Sequence, residues 1–338
     1  MPQLPTLRAN AHPPSPQRRS LVLGALAATA AVATPRAWAQ TGADAPVRLV
    51  VPFTPGTGID LIARQIAQPL SDRLKRPFFV ENKAGASGII GTEPVVHSPP
   101  DGTVLLLTAT HHVITPSLYK SIPYNTKKDL SPIALVAQAP NAILVNKDFP
   151  AKNISEFIAL LKKNPGKYSF GSAGTGSSNH LSGELFKQMA GVDIVHIPYK
   201  GNGPAMNDLI GGHIPMLFDS LPTVVNASKG GLVRVIALTG LKRSPQLPDV
   251  PTLDESGVKG FNVQAWFGVY MPQAHNSPIY KKLVAAMKEV NESDEAKRKF
   301  AEMGVEPGEL YGDEFRAFVD SEIDRWAVVV KKANIPPE

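Results

Sequence analysis

Runs of consecutive apolar residues alternate along the chain with stretches in which apolar positions recur every three or four residues, and that alternation sets the fold class. Val47 to Pro52 predicts a strand. Directly after it Ile59, Ile62, Ala63, Ile66 and Leu70 fall at i, i+3, i+4, i+7 and i+11, which is one face of a helix from about Ile59 to Leu74. Strand Phe78 to Glu81, the loop Gly85-Ala86-Ser87-Gly88 and strand Val104 to Thr108 continue the rhythm of a mainly parallel sheet covered by helices.

A second unit begins near Asn146. Its first helix, about Ile154 to Lys163, has Asn153 as a candidate N-cap and stops at Asn164-Pro165-Gly166, where proline and glycine each end a helix for a separate reason. Strands Tyr168 to Gly171, Ile194 to Pro198, Met216 to Asp219 and Val233 to Thr239 predict a second sheet. The loop Leu241 to Val250, carrying Pro245 and Pro248, breaks the pattern before the apolar stretch Phe261 to Met271. Three helices close the chain: about Pro278 to Asn291, Asp294 to Met303, and Glu314 to Lys332 with Asp313 as its expected cap. In the last, Phe315, Phe318, Ile323, Trp326 and Val330 keep one apolar face.

Those helices bring no strands to pack on, so they must return to the first sheet. The expected organisation is a discontinuous domain 1, residues 40–140 plus 264–338, with domain 2, residues 141–263, inserted in it. The chain then crosses between them twice, near Ala134 to Val145 and near Phe261 to Gly268. The fold class is α/β and two-lobed, with two mixed sheets joined by a two-crossing hinge and a cleft between them.

The amino-terminal residues 1–39 have the order of an export signal. Arg18 and Arg19 precede the uncharged run Leu21 to Thr34, and Ala37-Trp38-Ala39 gives a small-x-small cleavage site before Gln40. Gln17-Arg18-Arg19-Ser20-Leu21-Val22 fits a twin-arginine signal; an ordinary secretory signal with two chance arginines is the alternative. The apolar run is short for a membrane span, which needs roughly 20 residues, so the mature chain is expected to be soluble and periplasmic. Removing the leader takes Arg8, Arg18, Arg19 and Arg36 with it. That leaves 31 basic against 29 acidic residues and lowers the formal charge from +6 to +2. The basic balance therefore belongs largely to the leader, and the case for a nucleic-acid partner goes with it. The chain has no cysteine, which excludes a disulfide framework, a thiolate metal site and a lipoprotein anchor.

Candidate chemistry concentrates in two junctions of strand, glycine loop and helix. One is Val51-Pro52-Phe53-Thr54-Pro55-Gly56-Thr57-Gly58-Ile59-Asp60; the other is Gly171-Ser172-Ala173-Gly174-Thr175-Gly176-Ser177-Ser178-Asn179-His180. Each sets small residues at a helix N-terminus, where free N–H groups and the dipole favour an anion. One such loop is usually only a helix start; two of them in facing domains favour a cleft site. Neither matches a dinucleotide fingerprint, since Leu61 and Asn179 stand where glycine is required, and the Walker lysine is missing. No cofactor is expected. An enzyme would have to use Ser177 or Ser178 with His180, His196 or His213 and an Asp such as Asp219. The nucleophile elbow fails, because His180 stands where it needs glycine after Ser178. Metal binding lacks a paired-histidine motif, and of His111-His112 either one residue reaches the cleft or the pair belongs to an ordinary surface loop. Asp60 either stabilises its own helix or meets a ligand group; Asp219 and Tyr199, both at strand ends, face the same choice.

Taken together, these residues resemble the Bordetella-uptake (Bug) type of extracytoplasmic solute receptor of tripartite tricarboxylate transporters. The resemblance runs over nearly all the mature chain. It is carried by Val51-Pro52-Phe53 with Pro55-Gly56 and Asp60, Val80-Glu81-Asn82-Lys83 with Gly85-Ala86-Ser87-Gly88, Asp101-Gly102-Thr103 and Asn164-Pro165-Gly166-Lys167. Further along it continues in Ser172-Ala173-Gly174 with His180-Leu181 and Glu184-Leu185-Phe186, Pro198-Tyr199-Lys200-Gly201, and Pro248-Asp249-Val250-Pro251-Thr252. It implies a type II Venus-flytrap receptor that closes on a small carboxylate and delivers it to a membrane permease, working as a monomer without catalysis. By the same resemblance Phe53, Thr57 and Asp60 line the first loop and Ser172 and Thr175 the second. Ser87, Thr110, His112, Tyr199 and Asp219 become candidates for the selective end. One departure stands out: Thr57 replaces the second glycine of the usual pair after Pro55. A sensory receptor docking on a two-component kinase would use the same residues, and an exported serine hydrolase is the remaining alternative.

Overall fold

The computed structural model describes residues 45–199 and 201–337. The leader, with its twin arginines and the expected cleavage at Ala39, lies outside them, as does Lys200. Within them run β1 (Val47–Val51), α1 (Gly58–Leu74), β2 (Phe78–Asn82), a tight turn at Ala86–Gly88, α2 (Ile89–Val96), β3 (Val104–Ala109), α3 (His111–Leu118) and β4 (Leu130–Asn146). Next come α4 (Ile154–Lys163), β5 (Ser169–Ser172), α5 (Ser178–Ala190), β6 (Val195–Pro198), α6 (Asn202–Ile210), β7 (Met216–Ser220), α7 (Leu221–Lys229) and β8 (Val233–Leu238). The chain ends with β9 (Gln264–Pro272), α8 (Pro278–Glu292), α9 (Asp294–Glu302), β10 (Glu306–Pro307) and α10 (Asp313–Lys332).

The first lobe is built on the strand order β2-β1-β3-β9-β4, with β1 parallel to β2 and β3 and with β9 antiparallel to its neighbours. The second follows β4-β7-β5-β6, with β5 parallel to β6 and β7 and with β8 also on β4. One 17-residue strand, β4, serves both. Up to Pro140 it pairs with β9, and from Asn141 it pairs with β7.

Side chains alternate across a strand, so both faces of each sheet acquire a core. Leu105, Leu107 and Leu217 fall in one cluster; Leu106, Met216 and Phe218 fall in the other. Strands buried on both faces read as continuous apolar runs, which is why β3 and β7 were legible without a period. The central strands are sealed: Leu49, Leu106, Leu107, Leu144 and Phe218 are each 0% exposed, and burying such a side chain contributes about 1.5–3 kcal/mol.

The three C-terminal helices do return to the first sheet. Helix α8 packs on α1 and β4, β10 pairs with β4, and α10 lies on α3 and β4. Trp266 of β9 and Trp326 of α10 both donate their indole N–H to Glu322 Oε2, at 3.3 and 2.9 Å. Two caps were read from sequence. Asn153 accepts the Glu156 N–H at 2.9 Å while Glu156 accepts the Lys152 N–H at 2.8 Å, a reciprocal cap of α4. Asp313, by contrast, is the first residue of α10 and not its cap. Gly312 takes that position with φ +56°, and the Asp313 carboxylate pairs instead with His275 Nε2 at 3.1 Å.

Candidate functional site

The first glycine loop is held from within. Gly56 adopts φ +80° and donates its N–H to Asp60 Oδ2 at 2.9 Å. The same carboxylate accepts Arg64 Nε (3.0 Å) and a second Arg64 nitrogen (3.1 Å), and Asn82 Nδ2 at 2.9 Å. Those bonds fill the acceptor positions a carboxylate has. Asp60 is 2% exposed. Burial pushes its carboxyl up, but the Arg64 bond, the Gly56 N–H, Asn82 and the Arg64 charge together hold it below the usual value. Its geometry is that of a lock tying the loop to α1 and β2. Thr57 sits at the N-cap of α1, but its hydroxyl donates back to Thr54 O at 2.9 Å and leaves the helix end without a side-chain cap.

Around this loop stand Phe53, whose ring lies 5.4 Å from that of His111, and Ser87, whose hydroxyl accepts a bond from Tyr119 at 3.1 Å. Ser87 is exposed within a run of left-handed residues, with φ of +142°, +44°, +50° and +91° at Gly85, Ala86, Ser87 and Gly88. A left-handed conformation costs a residue with a side chain roughly 1–2 kcal/mol, so Ala86 and Ser87 are strained at the rim. His112 is 3% exposed, set between Tyr124 and Tyr270 at 6.3 and 5.0 Å, with burial pushing its imidazole down to about 4. It is His111 that stands beside Phe53. Thr110 is buried and exchanges bonds with the Trp266 backbone, N–H to O at 3.1 Å and Trp266 N–H to Oγ1 at 3.0 Å, which fastens the end of β3 to β9.

In the second loop Ser172 is 0% exposed. Its hydroxyl accepts the Gly174 N–H at 3.1 Å and lies 2.6 Å from His196 Nε2. Gly174 and Gly176 take φ +126° and +75°. Gly176 donates its N–H to His180 Nδ1 at 3.1 Å, so the His180 proton sits on Nε2, toward Glu184 at 3.9 Å. The His180 and His196 rings stack with centroids 3.7 Å apart beneath the loop. Burial pushes His180 down to about 3, helped by His196 and Lys187, and His196 to about 4. Ser177 caps α5, accepting the His180 N–H at 3.1 Å and donating to Gly174 O at 2.7 Å. Thr175 stands exposed at the tip. Tyr199 donates its N–H to Ser172 O at 3.2 Å and its hydroxyl to Asp208 at 2.7 Å; burial and that carboxylate push the phenol up to about 12.

Asp219 closes the same edge. Strands β5 and β7 are parallel neighbours, Gly171 opposite Leu217, so their carboxyl ends lie together, the side on which ligands of open α/β sheets bind. Asp219 Oδ1 accepts the Ser220 N–H at 2.6 Å, Asn179 Nδ2 at 3.3 Å and Asn202 Nδ2, three donors from the starts of α7, α5 and α6. Burial pushes the carboxyl up to about 7 against the pull of those donors. Beside it, Asn141 of β4 donates to Ser182 Oγ at 2.9 Å. Sequence reading missed Asn141, Asn179 and Asn202. A lone polar residue inside the apolar run Ala139 to Val145 was the available signal for the first.

The serines a nucleophile elbow would use are spent elsewhere: Ser177 on its cap, and Ser178 on Asn179 Oδ1 at 3.3 Å. Among the described residues, no group of three or more metal-ligating side chains is arranged to hold an ion.

The chain matches the family described as tripartite tricarboxylate transporter family receptor over residues 62–335. Protein BugT of Bordetella pertussis is 36% identical over 315 residues, covering 93% of this chain and 96% of that one. An R. palustris protein solved with adipate superposes with a TM-score of 0.77 at 34% identity, over 89% of this chain and 100% of the other. The periplasmic binding protein BugD gives a TM-score of 0.73 at 37% identity, over 87% and 99%. These are binding proteins and not enzymes.

Proposed function

The chain belongs to the tripartite tricarboxylate transporter receptor family, and on that premise we propose that it is a periplasmic receptor that closes on a small carboxylate and hands it to a membrane permease. The observation that carries the reading is the pair of glycine loops, each opening on a helix N-terminus and each anchored by its own buried side chain, Asp60 in one and Ser172 in the other. Backbone N–H groups fixed in this way can meet an anion without a buried cation to neutralise it. The adipate bound to the R. palustris relative is a small carboxylate of the expected kind.

In the finer assignment, Phe53, Thr57 and Thr175 touch the ligand. Asp60, Thr110 and Ser172 keep the loops in place, and Ser87, Tyr199 and Asp219 select the rest of it. Residues 40–140 with 264–338 move against 141–263 about β4 and β9. The leader is removed near Ala39, and the mature receptor works as a monomer.

A thermal-shift screen of the mature protein against amino acids, di- and tricarboxylates and aromatic acids tests this. A ligand at 100 times its Kd adds about 2.7 kcal/mol. A folded, ligand-free sample that responds to none of them would rule the receptor reading out.

A further inference from the structure

His180 is buried in the first turn of α5, yet its ring serves the loop that precedes the helix. Nδ1 accepts the Gly176 N–H at 3.1 Å, which puts the ring proton on Nε2, facing Glu184 Oε1 at 3.9 Å. That carboxylate oxygen is itself held by Lys187 at 3.0 Å. Gly176, at φ +75°, is also the point at which the loop lies against Leu118 of α3. One imidazole nitrogen thus fixes the peptide that faces the other lobe.

The ring stacked on it, His196, follows the same rule. The Ser172 hydroxyl lies 2.6 Å from His196 Nε2 and 3.2 Å from Gly174 O, and that carbonyl already takes the Ser177 hydroxyl at 2.7 Å and the Ser177 N–H at 3.2 Å. The Ser172 proton therefore goes to His196, whose Nε2 is bare and whose Nδ1 carries the hydrogen. Two neutral rings turn a lone pair to each end of the loop, Ser172 at its start and Gly176 near its tip. A proton on His180 Nδ1 would face the Gly176 N–H with another hydrogen and set a charge against the stacked ring. Burial keeps both rings neutral, and Glu184 and Lys187 are the charged side chains beside them among the described residues.

Resting on the receptor reading above, we propose that His180 is a positioning residue for ligand capture: its bare Nδ1 holds the Gly176 peptide in its left-handed turn against Leu118, so that the loop meets the ligand already shaped. The role belongs to the acceptor nitrogen and not to the bulk of the ring, and His196 supports it as a neutral stacking partner.

Two variants separate acceptor from bulk. Asparagine carries an amide oxygen where the imidazole has Nδ1; leucine fills the space and accepts nothing. In amide hydrogen exchange followed by NMR on the ligand-free mature protein, His180→Asn should keep the Gly176 amide within about threefold of the parent's protection, and His180→Leu should lose about tenfold or more. Calorimetry with adipate, malate and aspartate should give the same order: any of them that binds the parent should bind His180→Asn within about threefold and His180→Leu about tenfold or more weakly. A packing role would favour leucine over asparagine. That reversed order, or Gly176 protection lost in both variants alike or in neither, overturns the proposal. If the variants do not fold, the ring-nitrogen shifts of the parent decide, with His180 Nδ1 bare and Nε2 protonated as the expected result and the other tautomer or an imidazolium overturning it. If none of the three acids binds, the exchange result still decides the role of His180, and the broader thermal-shift screen decides the receptor reading.

Discussion

Gly176 of the second loop and Leu118 at the end of α3 approach so closely that a Cβ added to the glycine would lie 2.0 Å from Leu118 Cδ1. The loop from one lobe thus meets a helix packed on the other through the absence of a side chain. Gly176→Ala should hold the two apart and weaken ligand binding by about tenfold or more, on top of strain from its φ of +75°. Leu118→Ala in the same chain should recover part of the loss, measured as a double-mutant cycle. Equal affinity in Gly176→Ala and the parent would show that the contact has no part in closure.

Asp60 is predicted to matter without touching the ligand. Asp60→Ala leaves the Gly56 N–H without its acceptor and the Asn82 amide with Phe53 O alone, and should cost about 1–3 kcal/mol in urea denaturation, with a parallel loss of affinity. Unchanged stability would mean that the loop does not depend on the carboxylate that four hydrogen bonds now meet.

Thr175→Val and Ser172→Ala should separate contact from support. The exposed threonine can lose its hydroxyl with a fall in affinity and no change in melting temperature. The sealed serine, which accepts from Gly174 and meets His196, should lose both. The opposite pattern would exchange the roles assigned to them.

Acid should destabilise the protein before it reaches the carboxylate range. Burial pushes His111, His112 and His196 down to about 4 and His180 to about 3, from an ordinary value of 6.5. Between those limits the unfolded chain takes up protons that the folded one refuses, so stability falls as pH drops from about 6.5 toward 4, by at most about 1.4 kcal/mol per pH unit for each group. Asp219 acts in the other sense. Its folded carboxyl is pushed up to about 7 from 3.8, so its contribution is full below 3.8 and is lost as pH rises through 7. Four groups outweigh one, and the melting temperature should fall from pH 7 to pH 5. Asp219→Asn should make the fall steeper, and a flat profile would refute the burial argument.

The order of elements could be read from the chain because it rests on local signals: the spacing Ile59, Ile62, Ile66, the stop at Pro165-Gly166, the unbroken apolar strands. The two glycine loops were legible for the same reason. Which of His111 and His112 faces Phe53 was not, because that depends on where β3 gives way to α3. Nor could sequence decide Asp60, since a first-turn carboxylate looks alike whether it meets a ligand or the N–H of Gly56 four residues back. Asn179 and Asn202 come from separate helices and converge on Asp219 only through the packing of α5 and α6 at the end of β7, while Asn141 of β4 meets α5 at Ser182. No spacing in the chain records that.

The single strand shared by both sheets has a consequence for how the molecule comes apart. Leu144 of β4 belongs to the same cluster as Leu49 of β1 and Leu217 of β7, and Ile143 to the same cluster as Leu106 and Phe218. Neither lobe owns a core separate from the other's, because both clusters run through β4 on either side of Pro140 and draw side chains from both sheets. The protein should melt as one cooperative unit, and neither lobe should be recoverable as a folded fragment. The strand proposed as the hinge is in this way also the seam that cannot be cut.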